Sequence, residues 1–123
     1  MARVLIVDDQ PDIRRLIRMT LEDEPFEVQE AANGEQALAA VASWRPDLIL
    51  LDVMMPGRFD GLQVCASVRA DPGSSDIRVV LLSARADSGD RAAGQAAGAD
   101  EYLTKPFSPL QLLETIDRLL PGG

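Results

Sequence analysis

The sequence predicts an α/β domain: a five-stranded parallel sheet in the order 2-1-3-4-5, flanked by five helices. Three observations lead there. Five short apolar runs recur along the 123 residues, separated by stretches with helical spacing. The runs VLIV, LILL and VVLL do not alternate with polar residues, so both faces of those strands need cover, as in a parallel sheet between helix layers. These βα units also fill the chain, with no linker, repeat or low-complexity segment, so residues 1–123 read as one domain.

Each element has its own justification. VLIV (4–7) is the first strand, and Pro11 can open the helix that follows, whose face is Ile13, Leu16, Ile17 and Leu21. FEVQEA (26–31) is the second strand, followed by a helix carrying Ala37, Leu38 and Val41. LILL (48–51) is the third, followed by Leu62, Cys65 and Val68. VVLL (79–82) is the fourth. The stretch 89–98 after it is the weakest helix: it has alanines, no large apolar residue, and a central Gly94 that costs about 1 kcal/mol relative to alanine. Gly94→Ala is therefore expected to stabilise it, and Gly98 to cap it. EYLT (101–104) is the fifth strand, and Leu110, Leu113, Ile116 and Leu120 give the last helix its apolar stripe; PGG (121–123) reads as a fraying end.

Composition removes whole classes of function. The net charge of −8 makes a nucleic-acid backbone an unfavourable partner. No apolar run approaches the roughly 18 residues of a membrane span, and no signal peptide is read before Arg3. A single cysteine, Cys65, permits no internal disulfide and sits in an apolar pattern, so a cytoplasmic protein with a buried thiol is expected. There is no histidine, which excludes Ser-His-Asp and Cys-His catalysis and His-ligated metals. Of 12 basic residues one is a lysine, Lys105.

The carboxylates carry the chemistry. Doubly wound sheets bind ligands beyond the carboxyl ends of the strands where strand order reverses, here between the first and third strands. Asp8 and Asp9 end the first strand, and Asp52 ends the third. Crowded oxygen-only ligands suit a hard cation, Mg²⁺ first and Mn²⁺ as the alternative. The plainer reading, surface acids or a helix cap before Pro11, accounts for Asp9 alone but not for three acids at two strand ends. Ser83 follows the fourth strand and Lys105 the fifth. A hydroxyl and an ammonium facing a metal–carboxylate cluster form a receptor for a phosphoryl group, with Asp52 as nucleophile.

VLIVDDQPD, LILLDVMMP, VVLLSA and ADEYLTKPF together resemble the signature segments of response-regulator receiver domains, in order and spacing along essentially the whole chain. That resemblance implies a flavodoxin-like doubly wound fold and phosphorylation by a histidine kinase or phosphotransfer protein. Asp52 is then the phosphoacceptor, Asp8 and Asp9 hold Mg²⁺, and the backbone carbonyl of Met54 is a further ligand. Ser83 and Lys105 contact the phosphoryl group, Tyr102 is the switch aromatic, and Lys105–Pro106 is a cis peptide. Phosphorylation would switch the surface of the fourth helix, fifth strand and fifth helix for a downstream effector or a fused output domain, without turnover of an external substrate.

Two departures from the family pattern stand out. Three residues, Gly57, Arg58 and Phe59, separate Pro56 from Asp60-Gly61 where the family usually has two, so the loop after Asp52 is longer by one. Thr115 stands before Ile116 where receivers joined to winged-helix domains commonly carry an arginine that pairs across a dimer. Two other readings compete. An aspartyl-nucleophile phosphatase needs a second acid two residues past Asp52, where Met54 stands; a flavin-binding module needs a Ser/Thr/Gly-rich loop where Asp8 and Asp9 stand.

Overall fold

In the computed structural model, which describes residues 1–84 and 88–120, five strands and five helices alternate: β1 (Ala2–Val7), α1 (Pro11–Leu21), β2 (Phe26–Ala31), α2 (Gly34–Ser43), β3 (Leu48–Asp52), α3 (Gly61–Ala70), β4 (Arg78–Ser83), α4 (Ser88–Ala96), β5 (Glu101–Thr104) and α5 (Pro109–Leu119). The strands form one sheet in the order β2-β1-β3-β4-β5, all neighbours parallel. Register sets the strand ends together: Val7 lies beside Leu51, Asp52 beside Leu82 and Ser83 beside Thr104. The residues that follow Val7 and Thr104 therefore emerge on the same edge as Asp52 and Ser83. PGG (121–123) lies outside the described residues.

The unbroken apolar runs are explained by two cores, one on each face of the sheet. Leu5, Val7, Ile49, Leu51, Val79 and Leu81 point to one face and pack with Ala37 and Val41 of α2 and Val64, Cys65 and Val68 of α3. Val4, Ile6, Leu48, Leu50, Val80 and Leu82 point to the other and pack with Ile17 and Leu21 of α1 and Leu112 and Ile116 of α5. Successive residues of each central strand thus alternate between cores. Burial of each such side chain contributes about 1.5–3 kcal/mol.

Two helix faces differ from the sequence expectation. Leu16 is half exposed, and the sheet side of α1 is carried by Ile17 and Leu21, with Ile13 partly buried beside them. At 3.6 residues per turn Leu16 sits about 100° round from Ile17, toward solvent. In α5 the buried residues are Leu112, Thr115 and Ile116, while Leu110 is exposed and Leu113 and Leu120 only partly buried. Leu110 precedes Leu112 by two residues, about 200° of helix, and so faces away from the sheet.

Local signals fix the helix ends. Pro11 and Pro109 open α1 and α5, where a missing N–H costs nothing. Asn33 and Ser108 cap α2 and α5, and Asp60 with Gln63 forms a reciprocal capping box on α3. Past α4, Gly98 takes a φ of 95°, a left-handed geometry suited to glycine. Gly94 is buried on the inner side of α4, where an added Cβ would lie 3.0 Å from Leu81 Cδ1 and 3.2 Å from Tyr102 Cδ2. Its place in the helix is thus one of close packing against β4 and β5.

Candidate functional site

Asp8, Asp9 and Asp52 converge beyond the ends of β1 and β3, each offering a carboxylate oxygen within 4.8 Å of the others. Asp8 is fully buried and Asp52 is 4% exposed, while Asp9 is more open to solvent. Lys105 reaches into the group from the end of β5: its Nζ donates to Asp8 Oδ2 at 3.0 Å and to Asp52 Oδ1 at 3.3 Å. Ser83 ends β4 and is 1% exposed. The Lys105 backbone N–H donates to the Ser83 carbonyl at 2.7 Å, tying the two strand ends together, and the Lys105–Pro106 peptide is cis.

Buried acids stay in place because their surroundings supply donors. Asp8 Oδ1 accepts from the Gln10 N–H at 2.9 Å, and Asp52 Oδ1 from the Met54 N–H at 3.3 Å. The backbone behind Asp52 is pinned as well: the Val53 N–H donates to Leu82, and the Val53 carbonyl accepts from Gly61. Gly61 approaches so closely that an added Cβ would stand 2.2 Å from the Asp52 carbonyl oxygen. Any side chain there would push the end of β3 out of place, so the Asp60-Gly61 pair both starts α3 and leaves room for Asp52.

The electrostatics are those of a pocket rich in carboxylates, into which Lys105 brings an ammonium. Asp52 is pushed up to about 6, first by burial and then by the charge of Asp8, against the pull of Lys105. Burial draws the Lys105 ammonium down, yet the hydrogen bond to Asp8 and the charges of both acids outweigh it, and its pKa ends above the ordinary lysine value. One ammonium thus faces three carboxylates. An oxygen-only donor set in that imbalance is able to hold a metal ion, and its hardness fits Mg²⁺.

The remaining sequence candidates lie around this cluster. Met54 follows Asp52 by two residues on the rim and is 58% exposed. Tyr102, on β5, is partly buried against the core beneath α2 and α3, with the Arg91 guanidinium of α4 5.2 Å from its ring centroid. Phe59 of the longer loop folds back onto its own domain, beside Gly34 at the start of α2, and Arg58 lies over its ring at 5.3 Å. Thr115 is buried, its hydroxyl donating to the Gln111 carbonyl. Cys65 is fully buried, donates to the Ala97 carbonyl, and burial pushes its thiol up to about 11, which makes it inert.

Sequence reasoning missed Arg14. Its Nη1 donates to the Asp8 carbonyl at 2.7 Å and its Nε to Glu30 at 3.0 Å. In sequence it reads as one of several arginines on a solvated helix face; its spacing of six residues from Asp8, one turn into α1, was the only signal.

Comparison with known proteins identifies the family. The family model for the response regulator receiver domain matches residues 4–117. The transcriptional regulatory protein ResD of Bacillus subtilis is 42% identical over 118 residues, 96% of this chain and 48% of that protein. The DNA-binding response regulator MtrA of Mycolicibacterium smegmatis is 41% identical over 114 residues, 93% of this chain and 48% of that protein. The chain thus spans about half the length of these relatives. Among solved structures, the chemotaxis protein CheY4 of Vibrio cholerae superposes with a TM-score of 0.90 at 37% identity, covering 97% of this chain and 98% of that one. The BeF3-activated DrrB receiver domain superposes at 0.88 with 30% identity, covering 98% and 97%.

Proposed function

The chain belongs to the response-regulator receiver family, and from that premise we propose that Asp52 accepts a phosphoryl group from the phosphohistidine of a histidine kinase or phosphotransfer protein. The observation that carries the reading is the Lys105 ammonium bridging Asp8 and Asp52 inside a cluster of three acids. A receiver is not a conventional enzyme: it brings about its own phosphorylation and loses the group by hydrolysis, without turning over an external substrate.

Each residue then has a role. An Asp52 carboxylate oxygen attacks phosphorus, the bond from phosphorus to the donor nitrogen breaks, and its electron pair stays with the imidazole. Lys105, already within reach of Asp52, neutralises the phosphoryl oxygens, and the Ser83 hydroxyl donates to one of them. Asp8, Asp9, Asp52 and the Met54 carbonyl would hold Mg²⁺. Bound there, the ion would offset the repulsion among the acids and the charge gathered on the phosphoryl oxygens. Tyr102 responds to movement of Ser83, and the α4–β5–α5 surface passes the change to an effector protein or a fused output domain. Residues 1–123 form the receiver unit of this scheme. Among the described residues no helix is long and apolar enough to cross a membrane.

The test is phosphorylation from acetyl phosphate, followed by intact mass. Wild type should gain one phosphoryl group with Mg²⁺ present and none after chelation with EDTA. Modification that ignores the metal, or that persists in Asp52→Asn, would contradict the assignment.

A further inference from the structure

Arg14 touches none of the carboxylates of the cluster, yet it is joined to their backbone. Its Nη1 donates to the Asp8 carbonyl at 2.7 Å, and its Nε donates to Glu30 Oε1 at 3.0 Å. Glu30 is on β2, and its other oxygen accepts from Arg18 Nε at 2.6 Å. The hydrogen bond from Arg18 first, and that from Arg14 in addition, hold the Glu30 carboxyl below the usual range in spite of burial, so the acid that aims Arg14 stays ionised. The Arg14 side chain is 18% exposed, a sheltered position for a guanidinium.

The Asp8 backbone is consequently held from two sides. Its N–H donates to the Ala31 carbonyl of β2 at 3.2 Å, and its carbonyl accepts from Arg14. That carbonyl is part of the peptide joining Asp8 to Asp9. A peptide is planar, so fixing the direction of its oxygen fixes where the Asp9 backbone and side chain begin. Asp8 has further anchors on its own carboxylate, from Gln10 and Lys105. The Asp9 carboxylate has no hydrogen-bond partner among the described residues, so its direction depends on the backbone that carries it.

We propose that Arg14, aimed by Glu30, is a positioning residue that sets the Asp8–Asp9 peptide and thereby the metal-binding geometry of Asp9. The inference rests on the Mg²⁺ reading above and adds a residue that touches neither metal nor phosphoryl group. Charge and position make opposite demands here. A guanidinium beside an acidic cluster repels a cation, so by charge alone its removal tightens metal binding. Loss of orientation weakens it, because partners that orient metal ligands are typically worth 10–100-fold in affinity.

The experiment measures Mg²⁺ affinity of the metal-free chain by calorimetry for wild type, Arg14→Gln and Arg14→Lys, alongside backbone amide spectra. Arg14→Gln should raise the Mg²⁺ Kd about 10-fold. Arg14→Lys, which keeps the charge but lacks the planar fork that serves Glu30 and Asp8 together, should recover only part of that loss. The amides of Asp9 and Gln10 should shift in the metal-free variants while those of Leu112 and Ile116 stay in place. Saturating Mg²⁺ should restore the maximal rate of phosphorylation, leaving only a raised metal requirement. Equal or tighter binding by Arg14→Gln, with wild type binding normally, overturns the positioning role. Should Arg14→Gln fail to fold, Arg14→Lys decides alone: weakened binding supports the role and unaltered binding overturns it. A wild type that binds no Mg²⁺ defeats the Mg²⁺ reading itself and the inference with it.

Discussion

Replacing Asp52 with asparagine should make the metal-free domain more stable at neutral pH and leave it unchanged in acid. Asp52 is 4% exposed, and its carboxyl is raised from 3.8 to about 6, by burial first and the Asp8 charge second. Between about pH 4 and pH 6 the folded state therefore keeps a proton that the unfolded chain has released. Stability falls as pH rises through that window and is level above it. A gap of about two pKa units at 1.36 kcal/mol each sets a ceiling of about 3 kcal/mol, and coupling to Lys105 brings the expected advantage of Asp52→Asn at pH 7 to about 1–3 kcal/mol. Urea unfolding of both proteins in EDTA at pH 4, 5, 6 and 7 measures it, since the titrations of all other groups largely cancel in the difference. The curves should meet near pH 4 and separate by pH 7, and added Mg²⁺ should close the gap by stabilising wild type more than the variant. A difference that stays constant from pH 4 to pH 7, or a wild type that gains on the variant as pH rises, would refute the reasoning.

Three further outcomes follow from the same structure. Lys105→Arg should slow phosphorylation by acetyl phosphate at least 10-fold while preserving the charge, because a planar guanidinium cannot take the compact position that the ammonium holds 3.0 Å from Asp8 and 3.3 Å from Asp52; normal rates would reduce Lys105 to a bystander. Gly94→Ala should lower stability by about 1 kcal/mol, since overpacking costs of about 1–3 kcal/mol exceed the helix gain of about 1 kcal/mol when the new methyl meets the fully buried Leu81 and the Tyr102 ring. Urea unfolding and the Tyr102 ring resonances report it, and a variant that is more stable with an undisturbed ring would contradict the packing. Trp44 caps the C-terminal end of α2, before β3, with the Arg3 guanidinium 5.6 Å from its ring centroid. Residues 48 to 52 alone separate it from the acids by about 13 Å at ~3.3 Å per residue, so Mg²⁺ should leave its emission nearly unchanged, and strong quenching would contradict the geometry.

The strands and the acid cluster were legible because their signals are local. VLIV and LILL need no partner to declare themselves doubly covered, and an acid directly after such a run can only emerge at the strand's carboxyl end. Helix phase was less legible: α1 and α5 carry leucines on more than one side, and which side meets the sheet depends on how the helix is docked. Leu16 and Leu110 were therefore assigned inward and lie outward. The packing around Gly94 was illegible for a related reason. Helix propensity is a property of the residue, whereas the contact of α4 with Leu81 and Tyr102 is a property of three elements together. Arg14 shows the same limit at the site: its bond to Asp8 spans six residues, but the Glu30 that aims it comes from another strand.

The most direct measurement of the central claim is to locate the phosphoryl group chemically. Wild type phosphorylated with acetyl phosphate and Mg²⁺ is treated with borohydride, which reduces an aspartyl phosphate to homoserine, and the peptides are sequenced by mass spectrometry. The account requires homoserine at position 52 and at neither position 8 nor position 9. Conversion at Asp8 or Asp9, or a phosphoryl group carried stably on Ser83, would contradict it.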